Sequence, residues 1–144
     1  MTIKQALKQK NKLVKNIAEN TKLMQQHNSI EVGNQRPYSS TQLYKEIQKD
    51  TQELASLKAK IHIANTPVME DIFWMSEIKS TIAALKKMDC TEGKSNRDRY
   101  RMESEVVLTS EISLVSRNQE IKMLEAKIEE IQDKLDTFNA TTEI

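Results

Sequence analysis

The sequence predicts an all-α fold, an elongated antiparallel coiled-coil or helical bundle of about four helices, with room for one short β-strand near residues 106–114. Three observations lead there. Only 38% of the 144 residues are apolar and 4% aromatic, too little for a thick core around a single centre. The chain carries 30% charged residues but only 2 Gly and 2 Pro, a composition of long amphipathic helices with little turn material. The apolar residues that exist recur at three- and four-residue spacing, which lines one face of a helix.

A first helix is expected over residues 2–28, where Ile3, Ala6, Leu7, Leu13, Val14, Ile17 and Met24 form a loose stripe interrupted by Lys10 and Asn20. Residues 29–39 have no helical period and contain Gly33, Asn34 and Pro37, so they read as a loop. A second helix over 40–64 opens on Ser39 or Ser40, with Gln42 three residues after Ser39 in capping-box spacing. Its seam, Leu43, Ile47, Asp50, Leu54, Leu57, Ile61 and Ala64, alternates in threes and fours around one charged intruder. The break Asn65-Thr66-Pro67 offers Thr66 as the N-cap and Pro67 as the first residue of a third helix over 67–88. Glu70 and Asp71 suit the positive end of that helix, and Lys86 and Lys87 its negative end.

The connector 89–115 holds Gly93 and the basic cluster Arg97 to Arg101, then an alternating stretch, Val106, Leu108, Ile112 and Leu114 against Val107, Thr109, Glu111 and Ser113, that suggests the strand. A last helix over 116–139 begins on Ser116 with Gln119 and has the cleanest seam: Ile121, Leu124, Ile128, Ile131, Leu135 and Phe138. Four helices with matching seams and short breaks point to one helical domain over 1–144.

Charge bounds the function. The net charge of +1 argues against a nucleic-acid backbone as the main partner. It conceals an asymmetry, with eleven Lys/Arg and five Asp/Glu in residues 1–60, but four and ten in residues 102–144. No run is long and apolar enough for a membrane span, and the polar start does not resemble a signal core, so the cytoplasm is the expected compartment and a membrane is not the expected partner. The lone Cys90 fits a reducing environment.

Candidate chemistry is sparse. His27 and His62 stand on separate helices without companion ligands, so no metal is expected. Gly33 and Gly93 are too few and too isolated for a phosphate loop, and no cofactor is expected. Cys90 reads as an inert thiol. Arg97, Arg99, Tyr100 and Arg101 form a candidate anion-binding cluster, because guanidinium groups beside an aromatic can hold a phosphate or carboxylate. The competing reading pairs these arginines with the acidic last helix. Trp74 lies off the seam of the third helix and, with Val106, Leu108, Ile112 and Leu114, is a candidate interface residue.

Several short segments carry a resemblance: Ala6-Leu7, Ala64-Asn65-Thr66-Pro67-Val68, Ser76-Glu77-Ile78-Lys79, Arg99-Tyr100 followed by Ser104-Glu105-Val106, and the ending Asn139-Ala140-Thr141-Thr142-Glu143-Ile144. In these the chain resembles a family of small bacterial helical proteins of unassigned function, some of them labelled septicolysin. The resemblance implies a helical fold and supplies no reaction, ligand or catalytic residue. Ala140 departs from the pattern, which has a tryptophan there in much of the family.

The functional expectation is a non-enzymatic coiled-coil protein that assembles with itself, as a dimer or an assembly of dimers, or with another protein. The strand would contribute by pairing antiparallel with its copy in a second chain. The alternative is a nucleic-acid or anionic-ligand binder using the basic first helix and the Arg97–Arg101 cluster. The label septicolysin adds a third reading, a membrane-active cytolysin.

Overall fold

The structure, a computed structural model, describes residues 1–95 and 106–144. It is all-α apart from one small two-stranded sheet. In chain order the elements are α1 (Ile3–His27), α2 (Ser40–Ala64), a 3-10 turn (Thr66–Val68), α3 (Met69–Lys87), β1 (Gly93–Ser95), β2 (Val106–Leu108) and α4 (Leu114–Thr141). The chain divides into two compact units, one of Met1–Met69 with Asp136–Ile144, the other of Glu70–Leu135.

In the first unit, α1 opens on a capping box. The Thr2 hydroxyl accepts from the Gln5 backbone N–H, and the Gln5 side chain accepts from the Thr2 N–H. These satisfy two of the donors that a helix start leaves without partners. At the other end Arg36 reaches back to donate to the carbonyl of Asn28 at 2.7 Å. The intervening loop turns at Glu31 to Asn34, whose N–H donates to the Glu31 carbonyl, with Gly33 at φ +90°, a conformation that costs side-chain-bearing residues dearly. Ser39 caps α2 through the Gln42 N–H, as its spacing predicts.

Helices α1 and α2 run antiparallel, as the cross-links Gln9–Glu53 and Asn20–Glu46 show by descending along one helix while ascending the other. Between them Ala6, Leu13, Leu57 and Ile61 form a buried cluster, flanked by Leu7, Leu54 and Ile144. Val14 is 46% exposed, because Leu13 and Val14 are adjacent and only one can face α2. Residues 1–3 and 142–144 are laced together: Thr2 and Glu143 form an antiparallel bridge, Ile3 N–H donates to the Thr142 carbonyl, and Ile144 N–H to that of Met1.

In the second unit, α3 and α4 are also antiparallel, cross-linked by Lys134–Asp71 at 2.6 Å near the start of α3 and Lys86–Glu125 at 4.0 Å near its end. Ile78 and Ile82 of α3, and Ile121, Ile131 and Leu135 of α4, are buried. The break before α3 departs from expectation. Thr66 is the first residue of the 3-10 turn and Asn65 precedes it without a side-chain cap, so Pro67, which has no N–H to lose, tightens the turn and α3 begins at Met69. After α3 the Asp89 carboxylate accepts from the Thr91 N–H, an Asx turn that stops the helix.

The strand expected near 106–114 is corrected in two respects. It covers only Val106–Leu108, and its partner is β1 of the same chain, in the antiparallel register Gly93↔Leu108, Lys94↔Val107 and Ser95↔Val106. The backbone groups of β2 that a second chain was expected to meet on that edge are met by Gly93–Ser95. Beyond Leu108 the chain bends through Ile112, and Leu114 is the first residue of α4. The cause is Ser113. Its hydroxyl accepts from the Ser116 N–H at 3.1 Å and its carbonyl from Arg117, so Ser113 is the N-cap, and the cap expected at Ser116 lies one turn inside the helix.

Candidate functional site

The residues singled out from the sequence fall on different elements. Trp74 lies in the second turn of α3 and is 50% exposed, with the Lys127 ammonium of α4 4.9 Å from its ring centroid. That distance is a cation–π contact, which steadies the ring without covering it. Lys127 also reaches Glu130 at 3.2 Å. Val106 at 44%, Ile112 at 47% and Leu114 at 51% are all open to solvent, and Leu108 is half-buried at the end of β2. Arg97, Arg99, Tyr100 and Arg101 lie outside the described residues.

Further exposed apolar residues join these in the second unit. Phe73, beside Trp74, is 63% exposed, and Val107, Val115 and Met123 are each about two-thirds exposed. For Phe73 and Met123 the signal was present in the sequence as apolar side chains one position off the seam, where a single helix partner cannot cover them. Scattered exposed apolar residues are ordinary, but Val106, Val107, Ile112, Leu114 and Val115 fall within ten residues of chain, and Phe73 and Trp74 are adjacent.

The first unit presents a different surface. On α1 the residues Lys4, Lys8, Lys12, Lys15 and Lys22 are all exposed, whereas Lys10 sits partly buried toward α2. Lys8, Lys12 and Lys15, with Gln5, Gln9 and Asn11, line a shallow open hollow of about 640 Å³. The only carboxylate in α1 is Glu19, 3.7 Å from Lys15. The acids of α2 that meet α1 are held by amides: Gln9 donates to Glu53 at 2.6 Å, and Asn20 and Gln42 donate to Glu46. A second hollow, of about 530 Å³, lies at the loop end of the α1–α2 hairpin between Met24, Gln25, Asn28, Ser40, Thr41 and Tyr44, and the Ser40 hydroxyl is buried there without a partner. A third, lined by Lys4, Leu7, Asp136 and Asn139, lies where the last turns of α4 meet α1.

Groups with catalytic or ligating potential stand apart. His27 meets Tyr38 in a tilted ring contact with centroids 5.2 Å apart, His62 is exposed on the last turn of α2, and Cys90 is a half-buried free thiol. Among the described residues no three His, Cys, Asp or Glu side chains come together as a metal-binding group. Among the described residues no helix is long and apolar enough to cross a membrane. Comparison with protein-family models, with curated proteins and with solved structures finds no match to this chain.

Proposed function

We propose that this chain is a non-enzymatic coiled-coil assembly module, acting as a homo-oligomer, a dimer or an assembly of dimers, in the cytoplasm. The observation that carries the reading is the set of exposed apolar residues of the second unit, Phe73 and Trp74 near the start of α3 and, toward the other end of the antiparallel pair, Val106, Val107, Ile112, Leu114 and Val115. Buried against another protein surface, an aromatic pair of this size contributes several times what a surface ion pair does. The sheet contributes differently from the expectation, because its strands already pair within the chain. Assembly in this reading rests on side-chain faces. The resemblance to the septicolysin-labelled family belongs to the same proposal, since what it implies is a helical fold without a reaction.

Sedimentation equilibrium over a range of concentrations tests the reading. The expected species has at least twice the 16.6 kDa chain mass, and Phe73→Ser with Trp74→Ser shifts it toward monomer while leaving the helical circular dichroism intact. A monomer at tens of micromolar overturns the self-assembly; a heteromeric partner would then have to be captured on the same aromatic pair.

A further inference from the structure

The lysines of α1 are arranged more regularly than a solvated face requires. At 100° per residue, Lys4, Lys8, Lys12, Lys15 and Lys22 fall within an arc of about 80° on the side of α1 away from the buried Ala6 and Leu13. From Lys4 to Lys22 the row is about 27 Å long, on a helix fixed at its start by the Thr2–Gln5 capping box and along its length by α2. Among the described residues, only Lys15 of these five has an ion pair, with Glu19, the one acid of α1, while Asp136 of α4 lines a hollow beside Lys4. Helix α2 packs on the opposite side of α1, where its Glu53 and Glu46 accept from Gln9 and Asn20, so neither forms an ion pair with the row.

The near-neutral net charge conceals this segregation. The first unit has eleven Lys/Arg against seven Asp/Glu, and the second eleven against fourteen. The long-range field at α1 is therefore positive although the chain as a whole is almost neutral.

We infer that this face of α1 is a docking surface for the phosphate backbone of a nucleic-acid duplex, read without regard to sequence. A row of five ammonium groups, four of them without an ion pair among the described residues, suits an evenly charged polyanion, and release of its condensed counterions makes exposed lysines effective where isolated ion pairs are weak. Three features of the face set the class of partner. The exposed lysine arc carries no aromatic residue, so it offers no platform for stacking the bases of a single strand. It carries no exposed large apolar residue to enter a lipid interface, the apolar side of α1 being engaged with α2. The hollow on it is lined by lysine stems and amide side chains and holds no aromatic or aliphatic anchor for a protein partner. The inference is independent of self-assembly, which uses residues of the other unit.

The test is fluorescence anisotropy of a labelled mixed-sequence DNA duplex against the full chain, with salt varied upward from about 50 mM. Five phosphate contacts predict that log K falls against log salt with a slope of about −4.5. Replacing Lys4, Lys8, Lys12, Lys15 and Lys22 by Gln is expected to weaken binding at least tenfold and flatten the slope toward zero, with an unchanged far-ultraviolet spectrum. Replacement of the same five by Arg is expected to retain both affinity and slope. Absence of duplex binding at low salt overturns the inference. So does undiminished binding by the folded Gln variant, which would place the contact elsewhere, or loss of binding by a folded Arg variant, which would show that charge is not the determinant. Equal or tighter binding of phosphatidylserine vesicles or of polyglutamate overturns the assignment to nucleic acid.

Discussion

Asp50 shows how a single residue can sit against the logic of its helix. It occupies a seam position of α2 between Ile47 and Leu54, where the spacing predicts burial and hence an ion pair or an opening in the packing. The structure takes the second course: the side chain is half-buried, and no cation pairs with it among the described residues. Asp50→Leu is therefore expected to raise stability by about 1 kcal/mol, a few degrees in melting temperature. A loss of stability on thermal denaturation would show that the carboxylate is held by a network. Ser113 gives a prediction of opposite sign. Its removal as the N-cap of α4, by Ser113→Ala, should cost about 1 kcal/mol, whereas Ser116→Ala should cost much less. From the sequence Ser116, with Gln119 three residues on, is the expected cap and Ser113 falls in the alternating stretch; the short β2 and the bend after it move the helix start to Ser113.

At the scale of elements, the helices were legible because burial imposes a period. Ile121, Ile131 and Leu135 of α4, and Leu43, Leu57 and Ile61 of α2, are buried where three-four spacing puts them. Ile131, 3% exposed, should lose about 2–5 kcal/mol on truncation to Ala, while Val14→Ala, at a position spaced like a seam residue yet 46% exposed, should be nearly neutral; chemical denaturation of the pair checks that packing and not period sets the cost. The sheet was half legible. Val106 to Leu108 are three consecutive aliphatic residues, two of them β-branched, but Gly93-Lys94-Ser95 has no apolar side chain at all. It becomes a strand because a chain reversing after α3 meets β2, with Gly93 at φ +89° admitting the turn into register. Gly93→Ala is expected to weaken the hairpin by roughly 1 kcal/mol without changing the oligomeric state, since the space around it is open and the strain is in the backbone alone. Amide hydrogen exchange at Val107 and Leu108 measures the first effect and sedimentation the second.

For the whole molecule, Trp74 was found from its off-seam position and Phe73 only from its exposure, whereas the lysine row needed the structure. The sequence shows that α1 is basic; it does not show that the acids of α2 meet amides on the side of α1 opposite the row. Segregated charge with a net of +1 and an isoelectric point near 7.8 also predicts that solubility passes through a minimum close to that pH and recovers on either side, as turbidity at fixed concentration would show.

The amide clasps between α1 and α2 have one further consequence. Gln9–Glu53 and Asn20–Glu46 hold the two helices in register using neutral donors, and none of the five outward lysines takes part. Positions that determine folding and positions that determine surface charge are thus separate sets on the same helix. Descendants of this chain can gain, lose or invert the charge of that face by single codon changes while each intermediate still folds, so selection for a different partner would meet no barrier of lost structure along the way.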